Sequence, residues 1–275
     1  MAGKIWFITG ASRGFGRVWA EAALSRGDRV AATARDAASV ADLKERFGDL
    51  ALPLALDVTD AAQAADALNH AHRHFGRLDV VLNNAGHGLV GVIEEAEEAD
   101  VRGLFDTNYF GPLRIIKAAL PLLRAQGSGH IIGVSSQVGF IAPPMIGYYA
   151  SSKWALEAVH ESLAQEVRAF GIKVTLIEPG PYETEFSSDR SIKLSPRLEV
   201  YADVHTGVAE VLASFDKGDP KATAEAVLAI VDAAEPPLRL ALGAGVVAMA
   251  RGVYAERLAT WGAWEDASIA AQGKS

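Results

Sequence analysis

Short apolar runs alternate with longer amphipathic segments along the first two-thirds of the chain. The runs are almost continuously apolar, which is typical of parallel strands buried on both faces. They predict strands at Ile5–Thr9, Arg29–Thr33, Ala51–Leu56, Asp79–Leu82, His130–Val134 and Lys173–Ile177. Helical periodicity between them predicts helices at Phe15–Ser25, Ser39–Phe47, Asp60–Phe75, Glu97–Asn108, Gly111–Ala125 and Tyr149–Phe170. The alternation predicts an α/β fold with a doubly wound, Rossmann-like parallel sheet between two helix layers, in a single domain over residues 1–275.

The regular alternation ends after Ile177, and residues 179–220 mix turn residues, charges and isolated apolar side chains. Such a segment is long for a loop in a compact domain, so we expect residues 185–220 to wall a substrate pocket. A poorly ordered surface excursion is the alternative. The apolar members of the segment indicate a moderately hydrophobic substrate; they are Phe186, Leu194, Leu198, Val200 and Tyr201. Beyond it the pattern predicts a helix at Lys221–Ala233, a strand at 236–242 and a helical extension at 246–275.

Composition excludes several classes of function. The 275 residues carry a net charge of -8 and no long basic stretch, which argues against a nucleic-acid partner. The absence of cysteine excludes disulfides and thiolate chemistry. The apolar run at Ile5–Ile8 is too short for a signal-peptide core, and Leu240–Ala250 is too short to span a bilayer. We therefore expect a cytoplasmic protein without a membrane partner.

A glycine-rich turn joins the first predicted strand to the first predicted helix. The residues from Thr9 to Gly16 read T-G-A-S-R-G-F-G. Glycines let a backbone turn tightly against a ligand, and the helix that follows directs free N–H groups and its positive dipole end toward the turn. Pyrophosphate is the natural occupant of such a turn, although glycines also make ordinary turns.

The T-G-x-x-x-G-x-G spacing resembles the cofactor turn of short-chain dehydrogenases/reductases. The resemblance continues in order through Asp57-Val58, Asn83–Gly86, Asn108, Ser136, Tyr149–Lys153 and Pro179-Gly180 to Thr184. It implies a nicotinamide cofactor held by Gly10, Ser12, Arg13, Phe15, Gly16, Arg35, Asp57, Val58, Asn84, Ala85, Gly86, Tyr149, Lys153, Pro179, Gly180, Tyr182 and Thr184. Phe15 departs from the pattern, because the family usually places a branched aliphatic residue there, against the nicotinamide.

The residue just after the second strand selects the cofactor in this family, and by similarity that residue is Arg35. A guanidinium pairs well with the 2′-phosphate of NADP(H), whereas a carboxylate would bind the ribose of NAD(H). Arg13 in the glycine turn offers a second positive charge. We therefore expect NADP(H). In the alternative, Arg35 is solvated, Asp36 takes the ribose, and the cofactor is NAD(H).

Tyr149 and Lys153 are four residues apart, which places both on one face of a helix. A lysine ammonium beside a phenol, together with the positive charge of an oxidised nicotinamide, favours the phenolate and suits the pair to proton transfer near neutral pH. The resemblance makes Tyr149 the catalytic acid/base and Lys153 its partner. It also implies that Ser136 binds the substrate oxygen and that Asn108 holds a water leading to the lysine. Alone, the Y-x-x-x-K spacing is more often a surface pair, and neighbouring Tyr148 competes for the role.

These features predict an NADP(H)-dependent oxidoreductase that moves a hydride between the nicotinamide and a carbonyl or secondary alcohol. A cofactor-binding sensor without catalysis and a non-redox epimerase-type relative are the alternatives. We expect no metal, since His70 and His74 share a predicted helix face but no third ligand is apparent. The expected partners are a small carbonyl or alcohol substrate and further copies of the chain, as a homodimer or homotetramer.

Overall fold

The computed structural model describes residues 3–185 and 191–273. Seven parallel strands form one sheet in the order β3-β2-β1-β4-β6-β7-β9, and β5 and β8 form a separate two-stranded parallel sheet. The strands are β1 Ile5–Ile8, β2 Arg29–Ala34, β3 Ala51–Ala55, β4 Val80–Asn83, β5 Gly88–Val90, β6 Gly129–Val134, β7 Ile172–Pro179, β8 Ile192–Leu194 and β9 Arg239–Leu242.

Helices cover both faces of the large sheet. They are α1 Gly14–Ser25, α2 Asp42–Phe47, α3 Ala61–Phe75, α4 Glu98–Phe105, α5 Gly111–Gln126, α6 Gly147–Val167, α7 Ala202–Ala213, α8 Ala224–Asp232, α9 Val246–Ala263 and α10 Glu265–Ala271. Successive residues of a strand point to opposite faces, so β1 contributes to two cores. Trp6 packs in the core shared with Trp19 of α1, and Phe7 packs in the core shared with Ile115 of α5. The doubly wound α/β prediction is confirmed.

The strand order reverses at β1, whose neighbours are β2 and β4. In open parallel sheets a crevice forms at the carboxyl ends of the strands beside such a reversal. The glycine turn follows β1, and the Asn84–Gly86 segment follows β4, so both lie at this crevice. Among the described residues, no helix is long and apolar enough to cross a membrane.

The segment after β7 is more regular than its sequence predicts. Within it, β8 pairs with β5, for example Gly88 with Ile192, and α7 adds three helical turns. The strand pairing was missed because its partner lies about a hundred residues away, where no local pattern reveals it. The helix was missed although Val204, Val208, Val211 and Leu212 recur at helical spacing, because these residues were interpreted as isolated apolar side chains within a loop. Phe186 lies outside the described residues.

Two predicted helices are interrupted in the structure by turns of another helix type. The Ser39–Phe47 prediction becomes a short 3-10 turn at Ala37–Val40 followed by α2. The Glu97–Asn108 prediction becomes α4, which ends at Phe105 and runs into a π-helical turn at Asp106–Phe110. Such turns are frequent at functional sites, and this one carries Asn108.

Candidate active site

Hydrogen bonds from the residues that follow β4 fix the position of the glycine turn. The Asn84 Nδ2 atom donates to the carbonyl oxygens of Thr9 (3.0 Å) and Gly10 (2.9 Å). The Thr9 hydroxyl accepts from the backbone N–H groups of Asn84 (2.9 Å) and Ala85 (3.0 Å). A β-carbon at Gly16 would lie 2.4 Å from both Asn84 Nδ2 and the Gly10 oxygen, so only glycine fits there.

The helix that starts in this turn is prepared for an anion. Gly10 (φ +68°) and Gly14 (φ +56°) adopt the left-handed backbone conformation that favours glycine. The residue before α1, Arg13, does not cap the helix with its side chain, and the first turn of α1 holds no acidic residue. The start of α1 is therefore suited to receive a phosphate. Ser12 is half-buried in the same turn.

Three predicted catalytic side chains meet where β6 ends and α6 begins. The Ser136 side chain caps the 3-10 turn after β6 and hydrogen-bonds with Tyr149. The Lys153 Nζ atom donates to the Val134 carbonyl oxygen of β6 (2.8 Å) and lies 5.7 Å from the centre of the Tyr149 ring. Tyr148 is directed elsewhere, because its hydroxyl donates to the Ile93 carbonyl oxygen (3.2 Å).

Burial dominates the proton affinities of this group. It raises the pKa of Tyr149 above its ordinary value, and the hydrogen bond with Ser136 offsets only part of that rise. It lowers the pKa of Lys153 to about 8, although the nearby Glu157 carboxylate favours the charged amine. In the chain by itself, burial therefore has the larger effect on the pKa of the phenol, and the expectation for the complex with oxidised cofactor stays a prediction. A lysine of pKa near 8 is, however, poised to exchange protons close to neutral pH.

Asn108 is 1% exposed and clamps the main chain that follows β4. Its Nδ2 atom donates to the His87 carbonyl oxygen (2.9 Å), and its Oδ1 atom accepts from the His87 N–H (3.0 Å). The Nδ2 atom also donates to the Ser152 hydroxyl (3.1 Å) of α6. Asn108 thus ties the cofactor side of the sheet to the helix that carries Tyr149 and Lys153.

The turn and the catalytic group are close neighbours. A β-carbon at Gly10 would lie 2.9 Å from the Ala85 Cα atom, and one at Gly86 would lie 3.7 Å from Lys153 Nζ. One short segment after β4 therefore lies against the glycine turn at Ala85 and near Lys153 at Gly86.

The residues predicted to read the cofactor's adenosine end follow β2 and β3. Arg35 is exposed just beyond β2. Asp36 is engaged, since its carboxylate accepts from the Ala38 N–H (2.9 Å) and caps the 3-10 turn. Asp57 accepts from the N–H and hydroxyl of Thr59 (2.9 and 2.8 Å). Val58 is buried and packs so closely that a β-carbon at Gly111 would lie 2.8 Å from its side chain.

The segment after β7 approaches the glycine turn from the other side. A β-carbon at Gly14 would lie 3.8 Å from the Thr184 side chain. The Phe15 ring meets the Tyr182 ring edge-on at 5.2 Å and stacks on Trp19 at 5.0 Å. Gly180, which follows Pro179 at the end of β7, donates its N–H to the Leu242 carbonyl oxygen (2.8 Å). Arg13 donates through Nη2 to the Ser191 hydroxyl (2.8 Å), so it contacts the segment that leads into β8.

Two charged groups in this region escaped the sequence analysis. Glu157, one helical turn beyond Lys153, is buried against Arg239; its four-residue spacing was the available signal. Glu95 accepts from His205 Nε2 (2.7 Å) and the Leu198 N–H (2.9 Å), and so fastens α7 to the main body. No local pattern joins residues about a hundred positions apart.

Sequence comparison places relatives along nearly the whole chain. Residues 4–194 match the family model described as short chain dehydrogenase. The oxidoreductase BOA17 of Botryotinia fuckeliana is 42% identical, over 97% of this chain and 98% of that protein. The 3-ketodihydrosphingosine reductase of Bacteroides thetaiotaomicron is 35% identical, over 88% of this chain and 89% of that protein.

Comparison with solved structures also finds short-chain dehydrogenases. A short-chain dehydrogenase from Streptomyces avermitilis has a TM-score of 0.91 and 37% identity, covering 98% of this chain and 99% of that one. One from Burkholderia cenocepacia, in complex with NADP, has a TM-score of 0.74 and 27% identity, covering 94% and 96%. One from Burkholderia phymatum, in complex with NAD, shares the fold at 24% identity and a TM-score of 0.78, covering 90% and 92%. The chain belongs to the short chain dehydrogenase family of oxidoreductases.

Proposed function

We propose that this protein is an NADP(H)-dependent oxidoreductase that interconverts a carbonyl and a secondary alcohol, with Tyr149 as the acid/base. The observation that carries the proposal is the meeting of Ser136, Tyr149 and Lys153 beside the glycine turn. In the direction of reduction, Tyr149 donates its phenolic proton to the substrate oxygen while Ser136 hydrogen-bonds that oxygen and orients it. Lys153, held by the Val134 carbonyl oxygen, supplies the positive charge that eases loss of this proton.

The residues around the glycine turn fit a nicotinamide dinucleotide. Gly10 and Gly14 adopt left-handed conformations, Gly16 admits no side chain, and the residue before α1 does not cap the helix with its side chain. When bound, the cofactor supplies the hydride or accepts it. The related structures hold NAD in one case and NADP in another, which supports the cofactor class and leaves its phosphate to be argued from this chain.

NADP(H) is favoured by the charges after β2. Asp36, the acidic competitor, already accepts a hydrogen bond as the cap of a 3-10 turn. Arg35 is exposed at the end of β2 and offers a guanidinium to a 2′-phosphate. Arg13 was expected to add a second charge from the turn; it contacts Ser191, and its role toward the phosphate stays a prediction.

For the substrate we propose a moderately hydrophobic ketone or aldehyde, or the matching alcohol. Leu194 (60% exposed) and Val200 (80% exposed) lie in the segment expected to wall the pocket and present apolar surface. One relative is named for the reduction of 3-ketodihydrosphingosine, a ketone with a long apolar chain, which supports the same class. A cytoplasmic location and a homodimer or homotetramer complete the proposal on the grounds of sequence.

The decisive experiment follows NADPH consumption by the purified protein over a panel of aldehydes and ketones, for the wild type, Tyr149→Phe and Tyr148→Phe. We expect Tyr149→Phe to lower kcat/KM about a thousandfold, because the acid is lost, while its Kd for NADPH stays close to the wild-type value. Tyr148→Phe serves as the control and should remain active. Full activity in Tyr149→Phe would refute the assignment.

The same experiment separates the two alternatives. A cofactor-binding sensor would bind NADPH and consume none across the panel. An epimerase-type relative would convert a substrate into its isomer with no net loss of NADPH.

A further inference from the structure

The face of α6 that carries Tyr149 and Lys153 continues with a third titratable residue. Glu157 follows Lys153 by four residues, as Lys153 follows Tyr149, so the three side chains share one face of the helix. Lys153 is 5% exposed and Glu157 is 7% exposed. A carboxylate and an amine at this spacing, both shielded from water, interact more strongly than a surface pair does.

Glu157 is held on the side away from the lysine. Its Oε2 atom accepts from Arg239 Nε (3.1 Å) on β9, and the same Nε atom lies 3.3 Å from Glu178 Oε1 on β7. Arg239 also donates to Glu161 Oε2 (2.6 Å), one turn further along α6. One arginine therefore anchors carboxylates from two elements behind the catalytic group.

Glu157 also packs under the segment that carries Ser136. A β-carbon at Gly139 would lie 3.0 Å from Glu157 Oε1 and 2.5 Å from the Ser135 hydroxyl. Ser136 lies between these two positions in sequence, and its hydroxyl is 3.5 Å from the carbonyl oxygen of Pro179, the residue after Glu178. The side chain of Glu157 thus packs against the segment that carries Ser136, at Gly139, and lies one helical turn beyond Lys153.

We propose that Glu157 is a positioning residue for the proposed hydride transfer, whose carboxylate, anchored by Arg239, keeps the Lys153 amine protonated in its buried site. The inference rests on the proposed function, because it assigns a task to Lys153. It explains why a carboxyl group and a lysine, both costly to bury, are buried together on one helix.

The charges around Glu157 agree with this role. Burial lowers the pKa of Lys153 to about 8, and Glu157 acts against that fall. Burial also raises the pKa of Glu157, while Arg239 and Lys153 lower it. Burial and the neighbouring Glu157 raise the pKa of Glu178 to about 7. The carboxylate of Glu178 therefore becomes protonated near neutral pH. Glu157, Glu178 and Arg239 line a cavity together with Glu161 of α6 and Arg257 of α9. The charge of Lys153 also acts on His87, after β4, and on His160 of α6, and lowers the pKa of both.

The chain provides a matched pair of variants. Glu157→Gln and Glu161→Gln each remove one carboxylate that contacts Arg239 from α6, but the Glu161 side chain is 54% exposed and lies a turn further from Lys153. The measurement is the pH dependence of kcat/KM for carbonyl reduction. Without Glu157 the ammonium loses its proton at lower pH, so we expect the alkaline limb to move down by about half a pH unit or more. Glu161→Gln should keep the wild-type limb. Coincident limbs in all three proteins would overturn the proposal.

A second readout is independent of turnover. The titration of the Lys153 amine in the full chain can be followed by NMR of 15N-labelled lysine, with the signal assigned by its loss in Lys153→Met. Its midpoint should fall in Glu157→Gln and stay in Glu161→Gln. If Glu157→Gln does not fold, Glu157→Gln/Arg239→Gln removes both partners of the ion pair together, and the same fall is expected, since Glu157 is the charge that acts on Lys153. An unchanged midpoint would sink the inference while leaving the proposed function, tested by Tyr149→Phe, untouched.

Discussion

The crevice at the carboxyl ends of the strands has a buried positive charge on one rim and an exposed positive charge on the other. On the rim formed by β6 and α6, Lys153 is 5% exposed and its pKa falls to about 8. On the rim after β2, Arg35 is exposed to water. A charge in a buried site acts strongly because little solvent screens it, whereas an exposed charge acts weakly and depends on salt. We therefore expect substitutions at the buried rim to abolish chemistry, and substitutions at the exposed rim to redirect cofactor choice.

The largest effect is expected from Lys153→Met. Loss of the ammonium beside Tyr149 should lower kcat/KM for reduction about a thousandfold, as measured by NADPH consumption. In the wild type, the same rate should decline as pH rises above about 8, where Lys153 loses its proton. A methionine variant with substantial activity would show that the buried rim does not work through this charge.

Lys153→Met should lower activity but raise the stability of the fold at neutral pH. The pKa of Lys153 is lower in the folded chain (about 8) than its ordinary value of 10.5, so burial of the ammonium destabilises the fold fully at every pH below 8, and this cost fades as pH rises toward 10.5. Methionine removes the cost along with the hydrogen bond to Val134. We expect the thermal unfolding midpoint to rise by a few degrees at pH 7 and the gain to shrink at pH 10. A lower midpoint at pH 7 would contradict this account.

Between the two rims lies the glycine turn, where shape and not charge decides. A methyl group at Gly16 would meet Asn84 Nδ2 and the Gly10 oxygen at 2.4 Å, so Gly16→Ala must displace the turn. We expect its Kd for NADPH, measured by fluorescence titration, to rise about tenfold or more, because overpacking of this kind costs about 1–3 kcal/mol. Gly103→Ala is the control, since a β-carbon on that α4 residue meets no atom within 4 Å. Equal Kd values for both variants would show that the turn does not touch the cofactor.

Much of this crevice could be predicted because local rules govern it. Apolar runs located the strands of the large sheet, and the glycine turn and Tyr149–Lys153 spacing located the site. Contacts between distant segments could not be predicted in the same way: β5 pairs with β8, and Glu95 binds His205, across about a hundred residues. The burial that raises the pKa of Tyr149 in the chain by itself could not be predicted either, because spacing shows which groups are neighbours and does not show how deeply they are buried.

At the exposed rim, Arg35→Asp is expected to change cofactor choice rather than the rate of the reaction. The aspartate would repel a 2′-phosphate and accept hydrogen bonds from a ribose, so the ratio of kcat/KM for NADPH to that for NADH should fall about tenfold to a hundredfold. Maximal turnover with the preferred cofactor should change little, since this proposal assigns Arg35 to the 2′-phosphate and gives it no part in proton or hydride transfer. Arg168→Asp, an identical charge change at the far end of α6, should leave the ratio unaltered.

The two rims should also differ in how strongly their effects depend on salt concentration. Because Arg35 is exposed, the wild-type preference for NADPH should weaken several-fold between low ionic strength and about 0.5 M salt, as the Debye length shrinks toward a few ångströms. The alkaline limb set by Lys153 should stay in place over the same range, because that charge is buried. The measurement is the cofactor ratio and the pH profile at both salt concentrations. If the cofactor ratio does not change with salt concentration, or if the alkaline limb shifts with it, then solvent and salt screen the charges of the two rims equally.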